Sequence, residues 1–152
     1  MRQVLADAQE TESLGERLGG VVTAGIIYLN GDLGAGKTTL ARGLLRGLGH
    51  VGKVRSPTYT LVEPYALATR QVYHLDLYRL SDAEELEWLG LRDMLADPSL
   101  LVVEWPERGS GYLPPADLII DLDFSADGRI ASLTAASPTG QQWLDQVKTG
   151  NG

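Results

Sequence analysis

Gly31-Asp32-Leu33-Gly34-Ala35-Gly36-Lys37-Thr38-Thr39 is the stretch on which the reading of this chain turns. It fits the pattern GxxxxGK[ST], and its flanks give the pattern a context. The apolar segment Ile26-Ile27-Tyr28-Leu29 precedes it, and Leu40, Leu44, Leu45 and Leu48 follow at helical spacing. Strand, Gly-rich turn and helix N-terminus in that order predict a loop that holds phosphate. Glycines at 31, 34 and 36 allow backbone angles and a close approach that a Cβ would block. The amides from Gly34, Ala35 and Gly36 through Lys37, Thr38 and Thr39 then point at an anion near the positive end of the helix dipole. Lys37 adds a point charge near the β- and γ-phosphates, and the Thr38 hydroxyl is placed to ligate Mg²⁺. A nucleoside triphosphate is the expected ligand.

The bulk properties narrow the setting. The chain has 152 residues, 43% of them hydrophobic, which is enough for one domain, 1–152, with a core of its own. There is no cysteine, so disulfides, thiolate metal sites and thiol nucleophiles are excluded. His50 and His74 are too far apart in sequence to suggest a local zinc motif. The polar N-terminus does not read as a signal peptide, and the apolar stretch Val21 to Leu29 falls short of the ~20 residues a bilayer span needs. A cytoplasmic protein is expected. Thirteen Lys+Arg against 20 Asp+Glu give a net charge of -7, with no basic cluster. A chain that grips nucleic acid alone usually presents a basic face, so any nucleic acid substrate is expected to be held by a partner.

The pattern of elements predicts an α/β domain with a mostly parallel central sheet and an antiparallel hairpin addition, flanked by helices. Val4 and Leu5 suggest an edge strand. Asp7-Ala8-Gln9-Glu10 reads as a capping box opening a helix with Leu14, Leu18 and Val22 on one stripe. The helix after the loop should end at Gly49. Thr58 to Tyr65 and Gln71 to Tyr78 read as an antiparallel pair. Ser81-Asp82-Ala83-Glu84 reads as a second capping box, before a short helix broken by Gly90. Leu100 to Val103 is a continuous apolar run, as in a buried central strand. Further strands are expected at Leu118 to Leu122 and Ile130 to Thr134, then a helix after Pro138 and a frayed tail, 149–152.

A triphosphate-bound Mg²⁺ usually needs a carboxylate at the end of a neighbouring strand besides Thr38. Three acids compete. Glu104 ends Leu101-Val102-Val103 just before Trp105-Pro106, Asp121 follows Leu118-Ile119-Ile120, and Asp76 sits in Tyr73-His74-Leu75-Asp76-Leu77-Tyr78. Strand-end context favours Glu104, directly or through water, because the strand holding Asp121 can continue past it. Asp76 reads equally as a solvated acid on a half-buried strand, and His74, two residues away, shares its face. Ser56-Pro57-Thr58 reads as a turn into a strand, although switch NTPases offer a threonine hydroxyl from such a loop.

Taken together and in order, the phosphate loop, Ser56-Pro57-Thr58-Tyr59-Thr60-Leu61-Val62, His74-Leu75-Asp76-Leu77-Tyr78-Arg79-Leu80 and Glu104-Trp105-Pro106-Glu107 resemble the bacterial TsaE (formerly YjeE) family. These are small P-loop ATPases of tRNA threonylcarbamoyladenosine biosynthesis, and the resemblance runs from about Asp7 to Trp143. It implies an ATPase, slow when alone, that works with the TsaB–TsaD pair and meets tRNA only through those partners. It implies Lys37 at the phosphates, Thr38 and Glu104 at Mg²⁺, and Thr58 in a switch-like segment. Asp76 becomes a residue of hydrolysis, by orienting water or supporting Mg²⁺, and Trp105 and Arg129 lie near the nucleotide.

Other readings of the residues stay open. A small-molecule kinase would need an Arg-bearing lid, for which Arg92 and Arg108 could serve. A GTP switch would carry an Asn/Thr-Lys-x-Asp motif, and Lys37, Lys53 and Lys148, the only lysines, have no such setting; ATP is favoured. A nucleotide-gated binding subunit with incidental hydrolysis is the third.

Overall fold

The computed structural model describes residues 1–68 and 70–149. Strand β1 (Arg2–Leu5) leads to helix α1 (Ala8–Gly19), and β2 (Gly25–Asn30) leads through the Gly-rich loop to α2 (Lys37–Gly47). The hairpin β3 (Val62–Ala66) and β4 (Gln71–Asp76) is followed by two short helices, α3 (Glu85–Trp88) and α4 (Leu91–Ala96). Then come β5 (Ser99–Glu104), β6 (Leu118–Ser125), β7 (Gly128–Ala135) and α5 (Pro138–Thr149).

All seven strands join one sheet in the order β1-β7-β6-β2-β5-β4-β3. The inner four, β6, β2, β5 and β4, run parallel. β3 pairs antiparallel with β4 on one flank, while β7 and β1 extend the other flank antiparallel. The α/β class is the expected one, with antiparallel additions on both sides of the parallel centre. Side chains alternate between faces along a strand, which splits the core in two. Ile27, Leu29 and Val102 pack under Leu14, Leu18, Leu40, Leu44 and Trp143. Ile26, Leu101 and Val103 pack against Leu75, Leu86, Leu91 and Met94 on the other side. Every residue of β5 is buried, as its unbroken apolar run requires. Among the described residues no helix is long and apolar enough to cross a membrane.

α1 and α2 meet at glycines. A Cβ on Gly43 would stand 2.1 Å from the Glu12 carbonyl oxygen, and one on Gly15 would stand 2.3 Å from that of Leu40. The backbones are therefore in direct contact, and that contact seats the N-terminus of α2 over the sheet.

Several local expectations are corrected. β3 starts at Val62 rather than Thr58, because residues 58–60 form a turn closed by the Leu61 amide on the Pro57 carbonyl at 2.8 Å. β4 ends at Asp76, where the Leu77 amide turns to the Glu104 carbonyl. The second capping box lies one residue on: Glu85 accepts the amides of Ser81 and Asp82, and Asp82 accepts that of Glu84. Helix α4 follows Gly90, which takes a φ of +87°. α1 stops at Gly19, yet Val22 is still buried. Residues 150–152 of the expected frayed tail lie outside the described residues.

Alanine at Gly43 should destabilise the fold by about 1–3 kcal/mol through overpacking, despite the better helix propensity of alanine. Gly20→Ala, whose Cβ would meet nothing closer than 3.4 Å, should be near neutral. Thermal unfolding of the two variants checks this; equal stability would contradict the close crossing.

Candidate functional site

The loop enters α2 through Gly36, whose φ of +105° suits glycine and leaves the helix without a side-chain cap. The amides of Gly36, Lys37, Thr38 and Thr39 donate to no acceptor among the described residues. Unpaired amides at a helix start are an anion site by construction.

Lys37 is buried. Its Nζ donates to the carbonyls of Gly31 and Asp32, the latter at 3.0 Å, and lies 4.3 Å from the centre of the Trp105 ring. Burial lowers its pKa, while Glu104, Asp76, Asp32 and Glu107 push it back up. The next residue, Thr38, directs its hydroxyl at Glu104, 3.2 Å from Oε2 and 3.4 Å from Oε1. Glu104 is the last residue of β5 and is 2% exposed. His74 Nε2 reaches the same carboxylate at 2.7 Å.

The parallel register of β4 and β5 sets Asp76 opposite Glu104, so two strands deliver their final acids side by side. The reading of Asp76 as a solvated strand acid is corrected: it is 7% exposed. Its Oδ1 accepts the Tyr78 amide at 3.1 Å, and its own amide donates to the Leu61 carbonyl at 2.9 Å. Desolvation raises its pKa; the Tyr78 amide opposes that shift, Glu104 adds to it, and His74 and Lys37 oppose it.

Trp105 takes a left-handed conformation, φ +56° and ψ +51°. A non-glycine residue there costs about 1–2 kcal/mol, and the turn ends β5 and brings the indole beside Lys37. The Tyr78 ring packs 4.9 Å from that of Trp105, centre to centre. Thr58, half-buried and 2.7 Å from Ser56 Oγ, completes a cleft of about 280 Å³ shared with Gly34, Gly36, Lys37, Thr38, Thr39, Asp76, Glu104 and Trp105.

Two further residues lie differently. Arg129 donates to the carbonyls of Ala35 at 3.2 Å and Gly34 at 3.1 Å, so it clasps the outer side of the loop. Asp121 sits within β6 and accepts the Asn30 amide group at 3.0 Å, in a separate groove with Asp32, Glu107 and Asp123. The strand does continue past it. Arg108 stands 5.4 Å from the ring of Tyr78, at the cleft wall, whereas Arg92 lines a different groove with Leu91 and Tyr112.

Two features had no advance signal. A 440 Å³ cavity on the other flank of the loop is lined by Asp7, Thr11, Thr39, Asp127 and Arg129, and Gly34, Gly36 and Thr39 border both spaces. Tyr78 walls the cleft; its only trace in the sequence is its place two residues after Asp76.

The family model of the threonylcarbamoyl adenosine biosynthesis protein TsaE matches residues 5–131. The tRNA threonylcarbamoyladenosine biosynthesis protein TsaE of Haemophilus influenzae is 53% identical over 116 residues, 76% of this chain and 73% of that protein. The protein of the same name from Nostoc sp. is 41% identical over 138 residues, 86% of this chain and 83% of its own. The crystal structure of Bacillus subtilis YdiB superposes with a TM-score of 0.85 at 24% identity, covering 100% of this chain and 96% of that one, a likeness of fold.

Because burial raises the Asp76 pKa, its charge weighs against folding once pH rises above the ordinary carboxylate value of 3.8, and not below it. Asp76→Asn keeps an oxygen for the Tyr78 amide. Without nucleotide it should unfold at a higher temperature than the parent at pH 7, and the gap should close as pH falls toward about 4. An Asn variant less stable at pH 7 would contradict this.

Proposed function

This chain belongs to the TsaE family, and we propose that it is an Mg²⁺-dependent ATPase acting with a TsaB–TsaD pair in tRNA threonylcarbamoyladenosine formation. The observation that carries the nucleotide reading is the buried Glu104 carboxylate facing the Thr38 hydroxyl beside the free amides of α2.

The residues fit the metal. Neighbouring oxygens around an octahedral Mg²⁺ stand about 3 Å apart, close to the 3.2 Å between Thr38 and Glu104. Among the described residues no cluster of three or more His, Asp or Glu forms an all-protein cage; Mg²⁺ bound with a nucleotide needs none, because water and phosphate fill its other positions. Thr38 and Glu104 would hold Mg²⁺ there, and the ion would offset the charge of the phosphates.

The chain's own groups divide the remaining work. The free amides of residues 36–39 hold the phosphates, and Lys37 supplies positive charge from a buried position with little reorganisation. Thr58 lends a hydroxyl from the cleft wall. Asp76 orients the attacking water, a role suited to a buried carboxylate whose pKa is raised toward working pH. Trp105 shields Lys37 from solvent. Arg129 holds the loop open by binding its outer carbonyls, and the 440 Å³ cavity beside it accepts the nucleoside.

The relatives' names supply the pathway. The net charge of -7 supports contact with tRNA through partners, since an acidic surface gains little from phosphate neutralisation.

Two variants test the assignment. Lys37→Ala should lose most affinity for a fluorescent ATP analogue, and affinity near the parent's would contradict it. Asp76→Ala should bind the analogue but hydrolyse ATP about 10²–10⁴-fold more slowly in single turnover. A loss below about tenfold would make Asp76 a structural acid, and joint loss of binding and turnover would make it a nucleotide-holding one.

A further inference from the structure

We infer that His74 is a positioning residue that holds the Glu104 carboxylate toward Thr38; the inference rests on the Mg²⁺–ATP reading above and assigns a residue which that reading leaves without a role.

His74 is 1% exposed, on a strand where an apolar residue would be the simpler choice. Its Nε2 lies 2.7 Å from Glu104 Oε2, while its Nδ1 is buried with no partner among the described residues. A carboxylate can only accept, so the proton sits on Nε2. The ring thus ties one oxygen of the Glu104 carboxylate in place on the side that faces Thr38.

The register explains how the contact forms. His74 lies opposite Val102, one alternation before the Asp76–Glu104 pair, and on the same face as both acids. Glu104 also has a competing partner, since the Lys37 ammonium is close enough to feel its charge. Without the histidine tether the flexible carboxylate can turn from Thr38 to Lys37. That change would take charge from the metal side and from the phosphate side at once.

The test uses the whole protein and a fluorescent ATP analogue, titrated in EDTA and across a range of Mg²⁺. Partners that orient a metal-binding side chain contribute about 10–100-fold to metal affinity, so His74→Asn, whose amide stops short of Glu104, and His74→Leu should each raise the Mg²⁺ midpoint about tenfold or more. Affinity in EDTA should stay within about twofold of the parent, because no amide or lysine contact is removed. His74→Gln, whose amide nitrogen reaches the position of Nε2, should restore the midpoint to within about threefold. An unchanged midpoint in the Asn and Leu variants overturns the inference alone. So does a Gln variant as impaired as the Asn variant, or failure of all three to fold, since His74 would then serve packing. A parent protein with no Mg²⁺ midpoint would overturn the metal reading and the inference with it.

Discussion

A buried carboxylate facing the bare start of a helix is an unstable arrangement unless something cationic joins it, and the rest of this structure is organised around that arrangement. Glu104 is taken out of water at the end of the most buried strand, and among the described residues its carboxylate has only the Thr38 hydroxyl and the His74 ring as hydrogen-bond partners. Beside it, four backbone amides have no acceptor among the described residues. Buried charges and orphan donors are each costly, and here they have opposite signs. A divalent cation with a polyphosphate meets both needs together, which neither an anion nor a cation alone would do.

The surrounding fold keeps this pairing rigid. The α1–α2 crossing brings backbones together at Gly15 and Gly43, so α2 cannot slide along the sheet. Arg129 ties the loop carbonyls to the β6–β7 hairpin, on the flank opposite the carboxylates. Of the two non-glycine residues with positive φ among those described, Trp105 lines the cleft and Leu61 accepts the amide of Asp76, which lines it, at 2.9 Å. Strain gathered at one site is what a preorganised site is expected to carry. The desolvated Asp76 and Lys37 add to that burden, so part of the stability supplied by the two apolar layers is spent there.

Legibility in the sequence followed contiguity. The Gly-rich loop is nine adjacent residues, and its strand–loop–helix setting depends on its own glycines and flanks, so the sequence is enough to place it. β5 was readable because a strand buried on both faces must be apolar throughout. Among three competing acids strand-end context favours Glu104 as the partner of Thr38, but the contact itself depends on which strands lie beside β2. The His74–Glu104 contact spans 30 residues and exists only through the β4–β5 register. The burial of Asp76 was hidden for the same reason: alternation gives a face, and only topology says what covers it. Glycines 15 and 43 carry no signal in the sequence pattern, although they are the contact on which α2 rests. The start of β3 was misplaced because β-rich residues after Pro57 form a turn closed by a left-handed Leu61, a tertiary outcome that overrides local propensity.

The central claim is that Glu104, and not Asp121, provides the acid on the metal side. Mn²⁺ substituted for Mg²⁺ can be titrated into the nucleotide complex and its bound fraction read by electron paramagnetic resonance. Glu104→Gln should weaken Mn²⁺ binding by about tenfold or more, as loss of a metal-directed group does, while Asp121→Asn should match the parent. Weakening in Asp121→Asn with an unaffected Glu104→Gln would contradict the account.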